Sequence, residues 1–149
     1  MAWTSPDGVS WHRQEVPGSD GFTDLERVIK VDDGLLAAGI RGEEFGTWTR
    51  VDGTWKRLGT FGELDPDRRA GPYVSALTRA GETYFASVSD GTVYQLFASE
   101  DGHDWRPVPT PTTPTTAGEH IMALGASGST LLLLADDGVT GRIWRAEID

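Results

Sequence analysis

The sequence predicts an all-β chain built from repeated four-stranded antiparallel units, and three observations carry that expectation. A short motif recurs as "WTSPDGVSW" (3–11), "WTRVDGTW" (48–55) and "FASEDGHDW" (97–105). Counted from the leading aromatic, Asp falls four residues on and Gly five residues on each time, and Trp144 in "RIWRAEID" opens the pattern once more. The aromatics Trp3, Trp48, Phe97 and Trp144 are spaced 45, 49 and 47 residues apart. A second marker keeps the same period: Gly34 in "VDDGLL", Gly81 in "RAGETY" and Gly128 in "ASGSTL" are 47 and 47 apart. Third, the segments between these turns are short, often β-branched or aromatic, and bounded by Gly, Asp, Ser or Pro roughly every 8–12 residues. No window sustains a helical period beyond two turns. Four strands in a period of forty-odd residues describe a β-propeller blade.

The elements follow in order. Residues 1–16 read as a partial blade, a strand ending near Trp3, a turn, and a closing strand "SWHRQEV" (10–16). A full blade occupies 25–59, with "ERVIKV" (26–31) and "LLAAG" (35–39), a strand through Trp48 and a strand from Trp55. The next, 72–108, holds "YVSALT" (73–78), "TYFASV" (83–88), a strand through Phe97 and one from Trp105. An incomplete blade, 119–149, holds "HIMALG" (120–125), "TLLLLA" (130–135) and a strand through Trp144. "LLLLADD" has the hydropathy of a buried helix fragment, but between "SGS" and "DDG" it reads as a buried strand. "TPTTPTT" (110–116) is a Thr/Pro-rich extended linker.

The recurring turn has a physical reason. Gly accepts positive φ without a Cβ clash, so Asp-Gly suits a tight hairpin. The Asp carboxylate can accept N–H bonds from its own turn, and a nearby Ser can add its hydroxyl. The following Trp then covers the hairpin and packs between sheets. On this reading Ser5, Asp7, Gly8 and Trp11, then Asp52, Gly53 and Trp55, then Ser99, Asp101, Gly102 and Trp105 are structural staples.

These residues resemble the Asp-box, or BNR repeat, of sialidases, other propeller glycosidases, sortilin-like receptors and photosystem assembly factors. Ser5-Asp7-Gly8-Trp11 and Ser99-Asp101-Gly102-Trp105 match a form with one residue fewer between Asp and Gly. "TRVDGTW" departs further, with Arg50 in place of the Ser and Trp55 one residue early. The resemblance implies a propeller fold, with the boxes on the face away from any active site.

Charge and composition exclude several functions. The net charge is −10 over 149 residues, with two lysines and eleven scattered arginines, which opposes nucleic-acid binding. No apolar run approaches the ~20 residues of a membrane span. The N-terminus lacks a basic start and an apolar signal core, so the chain reads as cytosolic or as a piece of a larger, secreted protein. With no cysteine there is no disulfide framework. His12, His103 and His120 have no histidine at ligand spacing, and the Asp-Gly turns lack the graded acidic spacing of a calcium loop, so no metal or other cofactor is expected. A sialidase-like site needs three converging arginines, but Arg27, Arg41, Arg68, Arg69 and Arg142 share no blade position. Glycoside hydrolysis needs two carboxylates ~5–10 Å apart. Of the acidic pairs Asp32-Asp33, Glu43-Glu44 and Asp136-Asp137, two lie beside Gly in turns. No catalytic residues are assigned.

A binding surface is expected on the end opposite the Asp-Gly turns, where "IRGEEFG" (40–46), "VSDGTVY" (88–94), "GTFGELDPDRRAG" (59–71) and their neighbours form longer loops. Arg41, Glu43, Glu44, Phe45, Arg68 and Arg69 are its candidates. Counting back eight residues from Gly34, Gly81 and Gly128 adds Glu26, Tyr73 and His120, at the start of the innermost strands beside a central channel. The candidate ligand is a carbohydrate, a small molecule or a protein. Three blades cannot close a ring. Two chains would give six blades if "SWHRQEV" of one completed the last blade of the other, making a two-fold homodimer that acts as a scaffold or binding module. The alternative is a fragment of a larger sialidase-like or glycoside-hydrolase-like propeller.

Overall fold

In the computed structural model, which describes residues 2–18, 21–114, 120–136 and 139–149, the chain is all-β, with thirteen strands in four antiparallel sheets and no helix among the described residues. β1 (Ala2–Thr4) and β2 (His12–Gln14) form a hairpin. β3 (Thr23–Val31), β4 (Gly34–Arg41), β5 (Glu44–Val51) and β6 (Thr54–Glu63) form the first four-stranded sheet. β7 (Tyr73–Ala80), β8 (Thr83–Ser89), β9 (Tyr94–Ser99) and β10 (Arg106–Val108) form the second. β11 (Met122–Ser127), β12 (Thr130–Asp136) and β13 (Gly141–Glu147) form a three-stranded sheet.

The sheets stack in chain order, each junction with its own apolar core. Ala2 and Val16 from the hairpin pack with Ala37, Trp48 and Trp55 of the first sheet. Leu36, Ile40, Phe45 and Phe61 of the first sheet meet Val74, Leu77, Val88 and Phe97 of the second. Phe85, Tyr94 and Leu96 of the second meet Met122, Leu131 and Leu133 of the third.

Register repeats residue by residue. Ala37 faces Trp48, Ala86 faces Phe97 and Leu133 faces Trp144, so equivalent positions lie 49 and then 47 residues apart. The hairpin repeats the outer pair of the second sheet at a spacing of 94: Trp3 faces Arg13 as Phe97 faces Pro107.

This register corrects one marker. The turn pairs Val31/Gly34, Ala80/Thr83 and Ser127/Thr130 make Asp32, not Gly34, the counterpart of Gly81 and Gly128. Gly34 answers a different need: a Cβ there would lie 1.9 Å from the Arg50 carbonyl oxygen of β5. The 47-residue glycine spacing before Gly81 is therefore a coincidence, whereas the aromatic spacing of 49 follows the structure.

Two further expectations change. "IRGEEFG" is no long loop, because Arg41 pairs with Glu44 around the two-residue turn Gly42-Glu43. β12 alternates between buried and exposed positions instead of being buried throughout.

The Asp-Gly turns are of two kinds. Val51 pairs with Thr54 around Asp52 (φ 50°) and Gly53 (φ 79°), a two-residue hairpin with both central residues at positive φ. The turns at Asp7 and Asp101 are wider and unpaired: the equivalent pairs Trp3/Arg13 and Phe97/Pro107 enclose one residue more than Trp48/Arg57, which accounts for the early Trp55.

Gly59 marks a close approach between the first sheet and the β9–β10 turn of the second, since a Cβ there would lie 2.2 Å from the His103 carbonyl oxygen. Gly59→Ala is expected to cost about 1–3 kcal/mol by forcing that backbone apart. Urea unfolding monitored by Trp fluorescence measures it, and an unchanged midpoint would contradict the close contact.

Candidate functional site

The two longer Asp turns are built alike, bond for bond. Asp7 Oδ1 accepts from Ser5 Oγ (3.0 Å), Val9 N (2.8 Å) and Ser10 N (2.8 Å), while Ser5 Oγ accepts from Gly8 N (2.8 Å). Asp101 Oδ1 accepts from Ser99 Oγ (3.0 Å), His103 N (2.8 Å) and Asp104 N (2.9 Å), while Ser99 Oγ accepts from Gly102 N (2.8 Å).

Their surroundings differ. The Asp101 turn docks on the first sheet: the buried Thr47 hydroxyl donates to Gly102 O at 2.8 Å, and Trp105 stacks on Phe61 at 4.8 Å. The Asp7 turn docks on nothing described, and Trp11 is 58% exposed where a packed staple was expected. Trp55 is buried, yet its indole N–H has no partner. Trp105 donates its own to Gly102 O at 2.9 Å, and the shorter turn places Trp55 in a different relation to its turn carbonyl.

These bonds set an acid limit. The N–H groups of Ser10 and Val9, then the Ser5 hydroxyl, hold Asp7 at about 2 against an ordinary 3.8. The N–H groups of Asp104 and His103 lower Asp101 in the same direction. A carboxyl with a depressed folded pKa stabilises the fold above its unfolded value and loses that contribution as pH falls through the folded one. Stability is thus expected to be flat above about pH 5 and to fall between about pH 4 and 2. Asp7→Asn with Asp101→Asn should flatten that fall in urea titrations at stepped pH; an unchanged slope would assign it to other carboxyls.

Glu26, Tyr73 and His120 lie at the same end of neighbouring strands. Glu26 sits at a bulge between Leu25 and Arg27, and its Oε2 accepts from Val74 N of β7 at 2.5 Å. Burial raises its carboxyl above the ordinary value. Arg27 braces the same junction, donating to Ser75 O at 3.1 Å. The Tyr73 and Tyr94 hydroxyls share a hydrogen bond, and Tyr94 reaches His120 O at 3.3 Å. Burial, then Tyr73, pushes the Tyr94 phenol up. By register the counterpart of Glu26 is Ser75 and that of Tyr73 is His120, so the three are not one repeated position. They cross-brace the inner strands, and Tyr94, the link between two of them, carried no sequence signal.

The loop candidates separate. Phe45 is fully buried in β5, 5.6 Å from Phe61, and belongs to the core. Arg68 lies 3.7 Å from Glu43 and donates to Asp65 O at 3.1 Å. Asp65 accepts from Thr92 at 2.5 Å and thereby straps the β6–β7 connection to the β8–β9 loop. Arg69 and Glu44 are exposed, and Arg41 is half-buried at the end of β4. Cavities lie elsewhere, two of them beside the hairpin. One of about 240 Å³ between the hairpin and the first sheet is lined by Trp3, Leu25, Glu26, Val28 and Leu35, and one of about 520 Å³ by Arg13, Glu15, Pro17 and Trp55. Among the described residues no group of three or more His, Asp or Glu is placed to hold a metal ion.

The strongest surface feature is apolar. On the three-stranded sheet Leu132 is 37%, Leu134 40% and Ile143 68% exposed. Their register counterparts Phe85, Ser87 and Leu96 in the second sheet, and Leu36, Ala38 and Thr47 in the first, are all buried by the sheet that follows. On the side of the first four-stranded sheet that faces the hairpin Val28 is 57% exposed, while its counterpart Leu77 is buried. Each of these two faces leaves open apolar positions whose counterparts in the second sheet are covered. No family model, curated protein or solved structure matches this chain.

Proposed function

We propose that this chain is a non-enzymatic β-propeller module of the Asp-box type, that two copies assemble into one six-bladed ring, and that the ring serves as a scaffold or binding domain. One observation carries the reading: Leu132, Leu134 and Ile143 occupy positions buried in both preceding sheets. An apolar face of that kind marks an association surface. Repeated register across sheets stacked in chain order supports blades, and the matched Ser-Asp turns support the Asp-box. The hydrogen-bonded roles of Glu26, Tyr73 and His120 suit bracing better than catalysis. A carbohydrate, small molecule or protein would be received at the loop end carrying Arg41, Glu44 and Arg69.

Size-exclusion chromatography with light scattering tests the assembly. The expected species has twice the 16.1 kDa chain mass. Leu132→Glu with Leu134→Glu is expected to reduce it to monomer. The exposed faces are equally suited to neighbouring blades of a longer sialidase-like chain. A soluble aggregate, or a stable monomer at high concentration, would favour that second reading and overturn the first. Turnover of a fluorogenic glycoside would contradict both the scaffold role and the absence of catalytic residues.

A further inference from the structure

Building on the two-copy ring, we infer which strand is exchanged: β2 leaves β1 and pairs with β13 of a second copy, setting His12 opposite Arg145, Arg13 opposite Trp144 and Gln14 opposite Ile143. The register comes from the second sheet, where β9 and β10 pair Ala98 with Arg106, Phe97 with Pro107 and Leu96 with Val108. β1 and β2 reproduce it, pairing Thr4 with His12, Trp3 with Arg13 and Ala2 with Gln14. β13 stands on β12 as β9 stands on β8, with Trp144 on Leu133 where Phe97 is on Ala86. β2 is therefore complementary to β1 and β13 alike, and β13 is an edge strand of its sheet.

Two strands compete for one partner, and anchorage decides between them. β1 is held by three residue pairs, all of them to β2, and by the packing of Ala2 on the first sheet. β13 is held to β12 by seven. Glu147 accepts from Thr130 Oγ1 at 3.0 Å and Ser129 Oγ at 3.2 Å, and Ile148 N donates to Ser129 O at 2.9 Å. Trp144 and Ile148 also pack on the core between the second and third sheets. β1 yields and β13 stays.

The second copy fits better than an unrelated partner for two reasons. Trp105, which follows the Asp101 turn into β10, covers the preceding sheet by stacking on Phe61. Trp11 precedes β2 in the same relation and is exposed in the single chain; the exchange carries it onto the β7–β10 sheet of the other copy. One residue past the pairing, Glu15 comes opposite Arg142, joining opposite charges.

The chain contains no cysteine, so an introduced pair reports the register directly. Gln14→Cys with Ile143→Cys, both outside the buried core, is expected to give a disulfide-linked dimer on a non-reducing gel. The shifted pair Gln14→Cys with Arg145→Cys is expected to give much less. Thr4→Pro, which weakens β1 alone, is expected to raise the dimer fraction at a fixed concentration. A dimer by light scattering whose Gln14/Ile143 pair does not cross-link would overturn the strand assignment and leave self-assembly standing. A monomer by light scattering would overturn both. Preferential cross-linking of the shifted pair would overturn the register.

Discussion

Phe61→Ala is expected to cost about 3–5 kcal/mol of unfolding free energy, the range for removing a large buried aromatic. Phe61 is one of the points where the two four-stranded sheets are joined. Its ring stacks on Phe45 at 5.6 Å and Trp105 at 4.8 Å and meets Phe97 edge-on at 5.1 Å. Truncation removes contacts to both sheets together. Phe61→Leu, which keeps most of the volume, should lose much less. Equilibrium urea unfolding gives both values. A loss under about 1 kcal/mol for Phe61→Ala would contradict the packing of its ring between the sheets, because core truncations of this size do not normally cost so little.

Thr47→Val is expected to cost about 1–3 kcal/mol even though it conserves shape, because the buried Gly59 N–H loses its partner and Gly102 O is left with the Trp105 indole N–H alone. Thr47 is fully buried at an irregularity in the β5–β6 ladder. Its hydroxyl accepts from Gly59 N at 3.0 Å and donates to Gly102 O at 2.8 Å. One atom therefore closes the ladder and pins the Asp101 turn of the next sheet. Thr47→Ser should retain most of the stability by keeping the hydroxyl. If Thr47→Val loses little while Thr47→Ser loses more, the methyl contact matters and the hydrogen bonds do not. Combining Thr47→Val with Asp101→Ala tests the link. The two losses should be less than additive, since either change loosens the same turn.

Most of the strand content was legible in the sequence because each turn carries its own chemistry. Asp-Gly and Gly-bounded segments mark where the chain reverses, and β-branched or aromatic residues fill the segments between. The frame of the first repeat was harder to read. Gly34 imitates the turn glycines Gly81 and Gly128 but serves the close approach of β5, and Asp32 takes the turn position instead. Sequence spacing cannot separate a glycine kept for φ from one kept for contact. Phe45 was misplaced for a related reason. "GEEFG" looks like a loop until Arg41 pairs with Glu44 and turns the next aromatic into the core.

The candidate residues were legible only as positions. Counting from the turns brought Glu26, Tyr73 and His120 to one end of neighbouring strands. It could not show that their polar groups are spent on Val74 N, Tyr94 and the Asp136 carbonyl. Thr47 gave no signal, because a threonine in a strand is ordinary until the neighbouring sheet supplies a carbonyl.

Small-angle X-ray scattering across a concentration series tests ring closure most directly. Two chains closed on each other form a compact particle with a radius of gyration near 19 Å, following about 2.2·N^0.38 for the combined length, and the value should not change with concentration. Head-to-tail contacts that fail to close would instead add chains without limit. A radius that climbs steadily with concentration, or one that stays near the ~15 Å of a single chain, would contradict the two-copy ring.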